Sequence, residues 1–176
     1  IISGGRLHRG AQGTAGDLGH VAALHGGDTR CTCGNLGCLE AVASGPAIVR
    51  ALRERGVDLQ DSSDLVRLAK AGDLAAATAI RDAGREIGHV LATCVSLLNP
   101  SVIVVGGRLA QSAESLLAGI REVVYGRSLP LATGDLQIVA SRTAGHAGVI
   151  GAATMVVQHV LSVEQVEHQL AAAAAG

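Results

Sequence analysis

The residues able to do chemistry crowd into one stretch. Gly16 to Glu40 reads G-D-L-G-H-V-A-A-L-H-G-G-D-T-R-C-T-C-G-N-L-G-C-L-E and holds three of the four cysteines and two of the seven histidines. Cys31, Cys33 and Cys38 form a C-x-C-x4-C cluster, with His20 eleven residues before its first member. Three thiolates and one imidazole make a complete tetrahedral donor set for zinc. Sulfurs this close in sequence converge on one ion only if the backbone folds back sharply. Gly34 and Gly37 can take the positive φ that such a turn needs. A disulfide between two of the three would leave an odd thiol, and nothing marks the chain as secreted. The C-x-x-C pair of a redox site is absent. Structural zinc is therefore the expectation.

The elements around this stretch must supply its support. The chain has 176 residues, enough to bury a real core in one domain spanning 1–176. Aromatics are nearly absent, with one Tyr and no Phe or Trp, so Val, Leu, Ile and Ala must fill that core. Net charge is -1 and no basic patch dominates, which argues against nucleic-acid binding by this segment alone. No uninterrupted apolar stretch reaches membrane-span length, and I-I-S-G-G-R at the start is no signal peptide. Thiols without a targeting segment point to a reducing cytoplasm.

Ile1-Ile2, a Ser-Gly-Gly turn and Arg6-Leu7-His8 read as a strand end and the start of its partner. A hairpin entered in mid-strand implies that Ile1 is not the natural start of the gene product. Gly10 to Gly19 is a polar loop. A short helical turn is expected from Glu40, then a helix from Pro46 with Ser44 as N-cap, ended at Gly56. As a bare sequence feature, Glu40 also fits a solvated acid in a first helical turn. Ser62-Ser63-Asp64 reads as the cap of a helix over Leu65 to Ala71. Asp73 caps a long helix to about Leu98. Leu74, Ala77, Ile80, Gly84, Ile87, Leu91, Val95 and Leu98 form its apolar stripe, and Cys94 packs beside it.

Asn99-Pro100 stops that helix, and Val102 to Val105 reads as a buried central strand of a parallel sheet. Gly106-Gly107 and a helix from about Leu109 to Val124 come next. Strand, double glycine and helix can bring a helix N-terminus up to a phosphate, although a plain tight turn explains the glycines as well. Leu136 to Ala140 is another strand. Gly145 to Leu161 is apolar with small residues that would let another element pack close, and the alanine-rich tail from Leu170 should fray.

G-D-L-G-H followed by C-T-C-G-N-L-G-C-L-E-A resembles the signature of the ROK family, which contains bacterial repressors and sugar kinases. N-P-S-V-I-V-V-G-G-R-L resembles its nucleotide-side strand and loop, and H-A-G-V-I-G-A-A its closing helix. The resemblance implies the C-terminal half of an actin-like, ribonuclease H-like α/β fold, a mixed sheet flanked by helices with an inserted zinc loop. It implies zinc on His20, Cys31, Cys33 and Cys38, and sugar contacts from Asp17, His20 and Glu40. The polar loop before Gly19 would close over the sugar. Under a kinase reading, Gly106 and Gly107 would face ATP, but the lobe with the phosphate turn and catalytic aspartate is not in this sequence, so the chain alone should not phosphorylate a sugar. Two departures favour the regulators. The kinases typically have G-E-x-G-H where this chain has Asp17, and often a third glycine where it has Arg108. The expectation is the effector-binding and dimerising half of a transcriptional regulator. It would take a sugar or sugar phosphate, form a homodimer in the cytoplasm, and reach DNA through an upstream domain.

Overall fold

The computed structural model describes residues 1–174, with side chains at all of these except 112, 113, 144 and 174. The chain forms two compact units, Ile1–Ala140 and Ser141–Gly176.

The first unit opens with an antiparallel hairpin, β1 (Ile2–Ser3) and β2 (Arg6–Leu7), in register Ile2 to Leu7. Its two-residue turn, Gly4-Gly5, has φ of 56° and 74°, the double positive φ that matches the twist of paired strands. Irregular chain then carries the cysteines to α1 (Leu39–Ala43). Helix α2 (Gly45–Glu54) starts as expected: the Ser44 side chain accepts from the Ala47 N–H, and Pro46 lies in the first turn where its missing donor is not needed. The α3 helix (Ser62–Lys70) begins earlier than the sequence suggested. Its cap is Asp61, which accepts from Ser63 and Asp64, so Ser62 and Ser63 lie inside the helix.

Helix α4 (Leu74–Leu98) is capped by Asp73, which accepts from the Ala76 N–H, and ends at Asn99 in the left-handed region, φ 41°. The expected stripe holds at Ile80, Gly84 and Val95 and fails at its two ends. Ala76, Ile80, Ala83, Gly84, Gly88 and Val95 are buried, whereas Leu74 is 81% exposed and Leu98 is 51% exposed. The reason lies across the interface with α5 (Ala113–Arg127). A Cβ at Gly88 would stand 2.8 Å from that of Val123, and one at Gly119 would stand 3.0 Å from the Arg85 nitrogen. The two helices touch backbone to backbone, so small residues define the seam rather than large ones. Arg81 and Arg85 reach across it to Glu122.

Strand β3 (Val102–Val105) pairs in parallel with β4 (Gln137–Ala140) in register Val102 to Gln137, with α6 (Pro130–Thr133) between α5 and β4. Two separate two-stranded sheets result among the described residues, not one mixed sheet. Strand β3 is also not buried on both faces: Ile103 and Val105 turn to the core while Val102 and Val104 are exposed. A run of β-branched residues reports strand propensity, and alternation still sends every second side chain outward. The expected helix from Leu109 begins as a 3-10 turn, Leu109–Ser112, before α5 proper. The core joins α1 to α5 with Leu59, Leu136 and Ile138.

The second unit contains a 3-10 turn (Ala144–His146), α7 (Ala147–Val160) and α8 (Val163–Ala174). The alanine tail expected to fray is helical to Ala174, and 175 and 176 lie outside the described residues. Among the described residues, nothing lies within 4 Å of a Cβ placed at Gly148 or Gly151. No single described helix is long and apolar enough to cross a membrane; α7 and α8 pass that test only as a pair bent by 48°.

Candidate functional site

The cysteine stretch is built by backbone pairing with few side chains involved. Ala23 donates to the Gly37 carbonyl at 2.8 Å, Leu39 to Val21 at 2.9 Å and Glu40 to Gly19 at 2.8 Å. These bonds lay 19–23 antiparallel to 37–40. Arg30 and Leu36 bridge further out, and Cys31 accepts from Gly34 and donates to Asn35 to close the tip. Gly34 and Gly37 have φ of 95° and 68°, the conformations the sequence required of them. At Gly26 the need is spatial: a Cβ there would fall 2.6 Å from the Gly37 Cα.

The fold brings His20, Cys31, Cys33 and Cys38 together, all donor atoms within 4.8 Å of one another. Cys31 Sγ is 3.6 Å from His20 Nδ1, and Cys33 Sγ is 3.6 Å from Cys38 Sγ. With zinc bonds of about 2.3 Å to sulfur and about 2.0 Å to nitrogen, a tetrahedron separates sulfur from nitrogen by roughly 3.5 Å and two sulfurs by roughly 3.8 Å. Those two pairs stand at that spacing and the remaining donors lie within 4.8 Å, while the sulfurs are too far apart for a disulfide. Electrostatics point the same way. Burial pushes the Cys38 thiol up to about 12, while the Cys33 backbone N–H draws Cys31 down to about 7. The hydrogen bond to Cys31 holds His20 above its ordinary value. Three thiolates cannot coexist here without a cation to offset them, so the cluster suits a divalent metal ion.

Around this cluster stand the other expected site residues. Asp17 Oδ1 accepts from the Gly19 N–H at 3.1 Å. A Cβ at Gly19 would lie 3.4 Å from both Asp17 Oδ1 and Glu40 Oε2, so one glycine separates the two carboxylates. His20 turns Nδ1 toward Cys31 and Nε2 toward Glu40, 3.7 Å from Oε2. Its side chain is 39% exposed and that of Glu40 is 52% exposed, which leaves both open to a ligand. Glu40 sits in the first turn of α1, held by its own N–H and by the buried Cys38 and Leu39 before it.

Gly106 is not part of this group. It lines a separate cavity of about 320 Å³ with Gly45, Pro46, Val105, Arg108 and Leu109; Gly107 comes next in the chain with φ 92°. Arg108 Nη1 donates to Ser63 Oγ at 3.0 Å, at the start of α3. Two residues that matter to the loop carried no sequence signal. Glu86 on α4 accepts from the His25 backbone N–H at 3.2 Å and sits 2.5 Å from His25 Nδ1. They are 61 positions apart and neither belongs to a motif.

Comparison with known proteins extends this geometry. The ROK family model matches residues 1–159. The chain belongs to the ROK family. This ROK chain is 32% identical over 175 residues to a glucokinase of Thermotoga maritima, covering 91% of this chain and 55% of that protein. It is 33% identical over 179 residues to the DNA-binding transcriptional dual regulator NagC of Escherichia coli, covering 97% of this chain and 44% of that one. Its fold matches a ROK glucokinase from Streptomyces griseus, solved with glucose and AMPPNP, at a TM-score of 0.76 and 31% identity, covering 88% of this chain and 55% of that one. The ROK chain spans about half the length of the curated relatives it matches.

Proposed function

We propose that this chain is the sugar-sensing part of a ROK transcriptional regulator, with zinc on His20, Cys31, Cys33 and Cys38 fixing the turn that presents Asp17, His20 and Glu40 to a sugar. The observation that carries the reading is the meeting of both carboxylates and the outer edge of His20 around Gly19. Carboxylates accept from sugar hydroxyls, and a histidine oriented by a metal on one nitrogen can meet a hydroxyl with the other. Zinc would act structurally here, since all four positions are filled by protein. Sugar binding would bias a homodimer between two arrangements, by no more than its differential affinity for them. DNA contact would come from outside this segment.

Regulator is preferred over kinase on the nucleotide side. Arg108 extends over the start of α3 and is bonded to Ser63, where a third glycine would leave the Gly106-Gly107 turn open. The second reading, a lobe of an ATP-dependent sugar kinase, is supported by the glucokinase relatives and by that 320 Å³ cavity, where Gly106 and Gly107 would face ATP. The test uses the full-length protein. Calorimetry against a panel of hexoses and their phosphates should find a ligand, E40A should lose it while keeping full zinc, and C33S should lose zinc. Unchanged sugar affinity in E40A removes the sugar site, full zinc in C33S removes the ligand set, and sugar-dependent ATP turnover makes the protein a kinase.

A further inference from the structure

Leu18 and Ala23 pack the donor loop onto the core, and one further tie to α4 is polar and specific. Glu86 is 15% exposed on α4, and its two carboxylate oxygens take different parts of one residue: Oε2 the backbone N–H of His25, Oε1 the His25 ring at Nδ1. The His25 ring also lies edge-on to His89, one turn further along α4, with centroids 6.0 Å apart. The residue after His25 makes the contact consequential. Gly26 is pressed onto Gly37 with no room for a methyl group, and Gly37 directly precedes the metal donor Cys38. A displacement at His25 therefore reaches Cys38 through backbone that has no slack.

We propose that Glu86 is a positioning residue for the His20/Cys31/Cys33/Cys38 loop, gripping His25 at backbone and ring so that the Gly26–Gly37 contact holds Cys38, and with it Glu40, at the right height above α4. A carboxylate suits this task because it accepts two hydrogen bonds at once in one plane. Glu86 is not among the four clustered donors and bonds to His25 instead, so its influence travels through the loop. The inference rests on the zinc reading of the cluster for its affinity readout only.

The test compares E86A, E86Q and H25A in the full-length protein. The readouts are zinc affinity by chelator competition, the visible absorption of the cobalt-substituted protein, and amide hydrogen exchange at 25–27 and 37–38. Groups that orient metal ligands from outside commonly change affinity by about 10–100-fold. E86A should weaken zinc about ten-fold, shift the cobalt bands and speed exchange at both segments. E86Q keeps one strong acceptor and should recover most of this, and H25A, which removes the ring but keeps the backbone N–H that Oε2 accepts, should lose less zinc affinity than E86A. Zinc affinity and cobalt bands unchanged in E86A would overturn the proposal, as would E86Q behaving like E86A, which would indicate a general loss of stability. If the wild-type protein holds no metal, the zinc reading fails by itself and exchange decides: faster exchange at 37–38 in E86A upholds the grip, and unaltered exchange refutes it.

Discussion

Replacing Gly26 with alanine tests whether the loop's geometry makes the metal site. The backbone at Gly26 is not in the left-handed region, so the change introduces no torsional strain and only a steric one. The new Cβ would stand 2.6 Å from the Gly37 Cα and 2.7 Å from its carbonyl carbon. Carbons settle at about 3.5–4.0 Å, so the two strands must part by roughly 1 Å. Gly37 cannot yield alone, because its carbonyl also holds the Ala23 N–H and its neighbour Cys38 is 1% exposed in packed surroundings. Metal–donor distances tolerate only about 0.2 Å. The shift would therefore take Cys38 out of the coordination proposed for it. Losing a donor should exceed the effect of disturbing an outer group, so G26A is expected to weaken zinc binding at least about 100-fold, or about 2.7 kcal/mol. Chelator competition measures this directly, with far-ultraviolet circular dichroism to show that the helices persist. Gly27, with φ 50° and open space around it, is the control, and G27A should lose less than G26A. Zinc affinity in G26A within three-fold of wild type, on the order of 0.6 kcal/mol, would refute the reasoning.

Two further substitutions on α5 should have opposite signs. G119A drives a Cβ to 3.0 Å from the Arg85 nitrogen and should destabilise by about 1–3 kcal/mol despite alanine's helix preference, whereas G126A meets nothing within 4 Å and should stabilise by up to about 1 kcal/mol; urea titrations giving both the same sign would contradict the backbone seam. At the α3 cap, the Asp64 and Ser63 N–H groups hold the Asp61 carboxyl below its ordinary value. A depressed folded value means the contribution is present above the unfolded carboxyl's pKa of about 3.9 and is lost as pH falls through the lower folded one. The melting temperature of wild type should exceed that of D61N near neutrality and converge with it below about pH 4, and a gap constant with pH would dispose of the charged cap.

The chemistry of this chain was legible locally because its signals are local. His20, Cys31, Cys33 and Cys38 lie within nineteen residues, and the glycines between them could be read as turns from their spacing. Ser44, Asp73 and Asn99 announced helix ends because a cap acts over three or four residues. The sequence suggests Ser62-Ser63-Asp64 as this cap and not Asp61 because several adjacent residues could each cap, and only the φ of Asp61, -152°, decides which one stands outside the helix.

What the sequence by itself determined is a set of donors, the turns that fold them back and a run of helices and strands. Which face of each element is buried was decided only in three dimensions. Leu74 and Leu98 matched the α4 periodicity and are exposed, while Gly88, outside the expected stripe, joins Gly84 in the seam, because contact with α5 selects closeness of backbone over size of side chain. Val102 and Val104 are exposed because burial of a strand depends on what lies against each face. Tertiary structure alone joined Glu86 to His25, and it set Asp17 and Glu40, which the resemblance had already paired, on either side of Gly19. Contacts between distant positions leave no periodicity or spacing in a single sequence. They arise from where packed elements happen to bring side chains, so folding had to supply them.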